Sequence, residues 1–210
     1  MVCCLPMACE FAEGRPISFE ADRGQFFARA GGYTVSLTSE SITFESSRTK
    51  PVTITFSGAR RQAAASSEAA GWISNYFIGN DPSQWRTRIP HYSRVRYERA
   101  YPGVDLDYYV KEGNIEFDLT VGLDADPKQI AMEINGAGGT RVDENGDLVL
   151  EAERGLKPAT TFEGGRLVLH KPVVYQKTDE GSSLIGSRYV LSGGTVRIAL
   201  EKYDRRLPLV

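Results

Sequence analysis

Four carboxylates fall close together at alternating positions in the middle of this chain: Asp105, Asp107, Glu116 and Asp118. Paired carboxylates about 5 Å apart, or about 6.5–9.5 Å apart, are the working parts of glycoside hydrolysis. The same oxygens would suit calcium, which prefers hard carboxylate ligands. A plainer account is a solvated outer face whose charge is balanced by Arg94, Arg96 and Arg99. The balanced face is the expectation, with calcium as the one cofactor alternative and catalysis behind it.

A second group is aromatic. Trp72, Trp85, Tyr92 and Tyr101 offer flat faces with polar edges, the type of surface on which sugar rings stack. Aromatics this dense more often fill a core. Trp85, beside Asp81-Pro82 and Arg86, is the one most expected at the surface. Arg94 and Arg96 have the geometry to grip a phosphate or an acidic glycan, although pairing with the Asp105 strand explains them equally well. A ligand surface built here would comprise Trp85, Tyr92, Tyr101, Arg94 and Arg96.

Other candidates reduce to structure. Asp143-Glu-Asn-Gly-Asp147 opens like a calcium loop, but Leu148 stands where that loop needs glycine and Arg154 where it needs glutamate. Asn145-Gly146 makes it a hairpin turn instead. His91 and His170 are the only histidines, and neither has a G-x-S-x-G nucleophile pattern nearby, so both read as structural. Cys3, Cys4 and Cys9 are the only cysteines, and the nearest histidine is His91, which makes a metal cage there a remote alternative. No internal disulfide is available after Glu10, so packing must hold the fold.

The elements that position these residues are strands. Tyr33, Val35 and Leu37 alternate with Thr34, Ser36 and Thr38. Ile42 and Phe44 follow the same pattern, as do Val52, Ile54 and Phe56, and then Val95 and Tyr97. This is the period of a sheet with one wet face. Turn signals at Gly31-Gly32, Asn80-Asp81-Pro82, Gly113-Asn114, Asn145-Gly146, Gly164-Gly165 and Gly193-Gly194 separate the runs. The expectation is an all-β, antiparallel, sandwich-type domain. It covers residues 15–210, preceded by an unstructured segment 1–14, with two β lobes, 15–135 and 136–210, as the alternative to one. Residues 60–71, alanine-rich and without apolar period, read as a short helix or mobile loop. The aromatic stretch from Trp72 to Tyr109 is expected to carry the main core.

One hairpin has two registers. If Lys111 to Asn114 form the loop, Asp107 lies opposite Asp118; if Gly113-Asn114 turn alone, Tyr109 meets Asp118. Two carboxylates about 4 Å apart repel by roughly 4 kcal/mol at a surface-like dielectric. That favours the second register unless a cation intervenes, and Arg94 and Arg96 are the candidate cations.

Bulk properties narrow the partners. A net charge of −2 is not that of a general nucleic-acid binder. No apolar run approaches the roughly 20 residues of a membrane-spanning helix. Met1 to Cys9 lacks a basic start and an apolar core and does not read as a signal peptide. Ala8-Cys9 is similar to the end of a lipoprotein cleavage box, with Pro6 standing where such a box has an aliphatic residue.

Several longer motifs occur in order. Phe19-Glu-Ala-Asp-Arg-Gly-Gln-Phe26 and Gly31-Gly-Tyr-Thr34 come first, followed by Asn75-Tyr-Phe-Ile-Gly-Asn-Asp-Pro-Ser-Gln-Trp85 and Tyr92-Ser-Arg-Val-Arg-Tyr97. Tyr101-Pro-Gly-Val-Asp-Leu-Asp-Tyr-Tyr109 and Ile115-Glu-Phe-Asp118 continue the series. Ala125-Asp-Pro127, Gly146-Asp-Leu-Val-Leu150, Lys171-Pro-Val-Val-Tyr-Gln176 and Tyr203-Asp204 complete it. Together they resemble the domain of unknown function that precedes SBBP-type β-propeller repeats in exported bacterial proteins. The resemblance implies an extracellular or cell-surface β module and carries over no catalytic residues. The spacing between the Gly-Gln-Phe and Gly-Gly-Tyr motifs is shorter here, and neither a clear export signal nor a propeller repeat is visible.

The sequence therefore points to a non-catalytic structural or interaction module whose partner is a β-propeller or another cell-surface protein. A carbohydrate-binding module with an aromatic platform is the alternative. A glycoside hydrolase-like enzyme using the acidic hairpin face stands third.

Overall fold

The computed structural model describes residues 4–8, 17–22, 25–30, 33–47, 49–123, 125–153, 166–178 and 181–209. The alternating runs form strands, as their period requires. β4 (Tyr33–Leu37), β5 (Ser41–Ser46) and β6 (Val52–Phe56) bury Val35, Leu37, Ile42, Phe44, Val52, Ile54 and Phe56, while threonines and serines take the other face. β-branched and aromatic side chains suit this half-buried pleated surface.

The fold is all-β and antiparallel throughout. β2 (Phe19–Asp22) and β3 (Gln25–Ala30) lead into β4, β5 and β6 as a meander. The sheet then continues through β11 (Ala131–Asn135) and β18 (Thr195–Leu200) to β17 (Ser187–Ser192). On the other side of β2 stands the long strand β8 (Arg86–Tyr101), followed by β9 (Val104–Lys111) and β10 (Asn114–Val121). Beyond them the order runs β1 (Cys4–Ala8), β14 (Arg166–Leu169), β13 (Leu148–Ala152) and β12 (Ala137–Val142). β7 (Ser66–Tyr76) pairs with β8 off this path, and β15 (Val174–Thr178) pairs with β16 (Gly181–Ile185) as a separate hairpin.

This sheet folds over on itself. Phe56 of β6 meets Phe117 of β10 edge-on at 5.4 Å, although six strands stand between them in the order. Tyr97 and Tyr108 reach across the same layer, donating hydrogen bonds to the carbonyls of Leu37 and Thr38. The sandwich-type expectation is met by one sheet that packs its two halves face to face.

Three expectations about organisation are corrected. One continuous core cluster runs from Phe19 to Leu209, and β11, β14 and β18 are laddered into the same sheet as β2–β10, so Gly136 marks no lobe boundary. Gly136 is instead a close approach: it has φ 79°, and a Cβ there would run into the Pro51 carbonyl. Residues 66–71, expected as loop or helix, begin β7. Their neighbours are held as well, with Arg60 N–H on the Ala100 carbonyl (2.7 Å) and Ala65 N–H on the Arg96 carbonyl (2.8 Å). Small residues such as alanine carry little period of their own, so the pairing partner decided. Within the segment 1–14, Cys4–Ala8 is a strand between β10 and β14, while Cys3 and Cys9 lie outside the described residues. No helix among the described residues is long and apolar enough to cross a membrane.

Candidate functional site

Most candidate side chains lie on β8 or on the strands that pair with it, while Glu116 and Asp118 lie one strand further out, on β10. The first half of β8 takes β2 as a neighbour, its second half takes β9, and β7 runs along it. Glu68 pairs with Arg94 but Ala69 with Tyr92, which leaves Ser93 as an extra residue. A bulge of this kind shifts the facing of the strand by one residue. Tyr92 therefore shares the core face with Phe19, its partner in the ladder, and Val95 and Tyr97 also face the core. His91 and the pair Arg94 and Arg96 face the other way.

The acidic hairpin differs from expectation in two respects. β9 and β10 join through Glu112-Gly113, with φ of 51° and 80°, the left-handed pair of a two-residue hairpin turn. Asn114 then lies opposite Lys111, Glu116 opposite Tyr109, and Asp118 opposite Asp107. The turn expected at Gly113-Asn114 is displaced by one residue, and the like-charge pair is present. The arginines are the reason. Arg96 donates to Asp107 at 3.1 Å and to Asp105 at 2.6 Å, and Arg94 Nη1 stands 3.5 Å from Asp107. Tyr109 donates its hydroxyl proton to Asp118 at 3.0 Å.

Nor is this face solvated. Asp107, Glu116 and Asp118 are 2%, 5% and 3% exposed. Burial pushes the Asp107 carboxyl up, against the pull of Arg96 and Arg94. Burial likewise pushes Asp118 up to about 7; the Tyr109 hydrogen bond opposes the shift, and the charge of Asp107 adds to it. Asp105 stays at the rim, accepting the backbone N–H of Arg99 at 2.7 Å. A carboxyl that titrates near neutrality has the proton affinity of a general acid. A surface groove of about 340 Å³, lined by Gly122, Lys128, Tyr203 and Arg205 among others, includes none of the four carboxylates. Among the described residues no three His, Cys, Asp or Glu side chains converge as a metal site.

His91 forms a second polar group, which sequence could not assemble. Its Nδ1 lies 2.7 Å from Ser18 Oγ and its Nε2 2.8 Å from Ser74 Oγ, and Trp72 stacks on the ring at 3.5 Å. Burial lowers its pKa and favours the neutral ring. Opposite it, Glu20 accepts from Tyr76 (2.6 Å) and Arg29 (2.9 Å). This chain of hydrogen bonds ties β7 to β2 and β3. His170 pairs with Asp147 at 3.0 Å beside the 143–147 turn, which closes as a hairpin with Asp143 N–H on the Asp147 carbonyl at 2.9 Å.

The aromatic platform does not form. Tyr101 is 2% exposed, with its hydroxyl on the Ala131 carbonyl, and so belongs to the core. Tyr92 packs edge-on against Phe26 at 5.5 Å. Trp85 stands apart at the end of the β7–β8 hairpin, exposed as expected, with its Nε1 donating to the Gly79 carbonyl at 3.2 Å. Phe77 meets it edge-on at 5.1 Å. Phe77 is 62% exposed and Ile78, its neighbour in the chain, 73%, so three exposed apolar side chains, two of them in ring contact, gather at this end of the hairpin. Arg88 lies behind them and Asp81 ahead of them, at the start of the 3-10 turn Pro82–Gln84.

The sequence profile of a domain of unknown function, DUF7948, matches residues 13–210. The chain belongs to this family. Comparison with curated proteins and with solved structures gives no match. In this DUF7948 chain the sequence pattern points to Trp85 and not to Phe77, Ile78 or Arg88. The signal was available: Phe77-Ile78 is an apolar pair that breaks strict alternation immediately before the turn residues Gly79 to Pro82.

Proposed function

We propose that this DUF7948 chain is a non-catalytic interaction module that docks a protein partner through the end of its β7–β8 hairpin. The observation that carries the reading is the exposed band of Phe77, Ile78 and Trp85. Apolar side chains gathered in one exposed patch mark contact surfaces, whereas the same residues scattered singly would mean nothing. The internal polar groups support the same reading: Asp105 and Asp107 are paired with Arg94 and Arg96, Asp118 accepts from Tyr109, and both nitrogens of His91 are taken by serines. Resemblance to the domain that precedes SBBP-type repeats makes a β-propeller of an exported protein the partner to try first. A glycan is the weaker reading, because Trp85 has neither Tyr92 nor Tyr101 beside it.

The test is calorimetric titration of the chain with purified SBBP-type propeller repeats, comparing wild type with a Phe77→Ser, Ile78→Ser double variant. Binding by the wild type that the variant loses, at unchanged melting temperature, is the expected result. No binding by either, or equal binding by both, would overturn the reading.

A further inference from the structure

We propose that the hairpin end recognises a second copy of this chain, so that two molecules pair through it about a twofold axis. This rests on the reading of the hairpin end as a docking surface and goes further by stating what docks.

The ladder pairs Tyr76 with Arg86 and Ser74 with Ile89, which sets the order along the hairpin. Asp81 stands at the tip, the band of Phe77, Ile78 and Trp85 comes next, and Arg88 lies behind it. Asp81 is exposed, and its carboxylate accepts from the Ser83 N–H (2.9 Å) and hydroxyl (2.7 Å). Those bonds favour its ionised form. Arg88 is also exposed, and its backbone is fixed in an unusual way. Its φ is 57°, a left-handed conformation that side chains bearing a Cβ seldom take, and Asn75 Oδ1 accepts its N–H at 2.8 Å. The β7–β8 ladder is irregular here, between Ser74 and Tyr76, and a bulge of this kind re-aims the side chain it carries.

An apolar band with an anion at one end and a cation at the other is complementary to itself. When two hairpins lie antiparallel across a twofold axis, the bands cover each other and Asp81 of each copy meets Arg88 of the partner copy. An isologous contact of this type closes at two molecules, and a propeller would bind the same residues only by displacing the partner copy. Insertion of the same tip into a bilayer would carry the Asp81 carboxylate toward hydrocarbon, where charge is costly.

The experiment is sedimentation velocity on the full chain, from micromolar to submillimolar concentration. The mass should rise toward twice the 23.2 kDa of one chain. Phe77→Ser with Ile78→Ser should remain monomeric with an unchanged circular dichroism melt. Asp81→Arg and Arg88→Asp should each weaken pairing about tenfold or more, and the two together on one chain should restore it, because each copy then again presents opposite charges. Aspartate tolerates the left-handed backbone at position 88, so that variant also folds. A wild type monomeric throughout, a dimer indifferent to the Phe77 and Ile78 changes, or a double reversal no better than either single one would each overturn the proposal. If the wild type is monomeric yet the Phe77 and Ile78 changes still abolish binding to propeller repeats, self-pairing falls and the docking surface stands. If those changes alter neither property, both readings fall.

Discussion

Two regions along β8 invert the usual partition of residues. Beside its second half, on β9 and β10, Asp107, Glu116 and Asp118 are buried; before its start, Phe77, Ile78 and Trp85 stand in solvent. Two of the buried carboxylates have partners that account for them: Arg96 and Arg94 hold Asp107, and Tyr109 donates to Asp118. The exposed apolar residues offer one ring contact, Phe77 against Trp85, and otherwise face solvent. A buried polar group that is paired explains itself as structure, whereas an exposed apolar patch points to something outside the molecule.

The sharpest way to separate interior from exterior is a pair of aromatic truncations. Tyr101→Ala should cost about 3–5 kcal/mol in denaturant unfolding, the range for emptying a large buried site. Trp85→Ala should cost less than about 1 kcal/mol, since it deletes an exposed ring with one hydrogen bond. Equal losses would break the distinction.

Next in size is Arg96→Ala, which strands Asp107 without its closest cation. A loss of about 2–3 kcal/mol is expected by chemical denaturation, below the range for a fully buried pair because Arg96 is itself about a third exposed. No loss would mean that the carboxylates tolerate burial without their arginines.

The pH dependence follows from Asp118. Its folded value lies near 7, above the ordinary 3.8, so the folded chain holds the proton more tightly than the unfolded chain. Its contribution is therefore fully present below about pH 4 and is lost as pH rises toward 7. Asp118→Asn should remove that slope and stabilise the chain at pH 8, by on the order of 2 kcal/mol. Parallel stability curves for the two proteins between pH 4 and pH 8 would rule out the effect. The smallest expected change is that of Phe77→Ser, within about 0.5 kcal/mol in stability because it acts on association and not on the fold.

The strand pattern was legible because a period of two is written residue by residue. Val35, Leu37, Ile42, Phe44, Ile54 and Phe56 all fall inward as the alternation predicts. The hairpin register was not legible. Repulsion between Asp107 and Asp118 argued against the register that formed, and its compensation by Arg94 and Arg96 depends on which strand lies alongside. The bulge at Ser93 was invisible for a similar reason, since an extra residue has meaning only relative to its partner strand.

By itself the sequence determined an antiparallel β domain, its turn at Asn145-Gly146 and the exposure of Trp85. These follow from local backbone and side-chain preferences, which each short segment carries with it. Only the tertiary structure decided that Tyr101 is core, that His91 sits between Ser18 and Ser74, and that the acidic face is buried. It also decided that Phe77, Ile78 and Trp85 gather at one end of a hairpin between Asp81 and Arg88. Burial and charge pairing are properties of neighbours distant in sequence, and those neighbours are fixed only when the sheet folds over on itself.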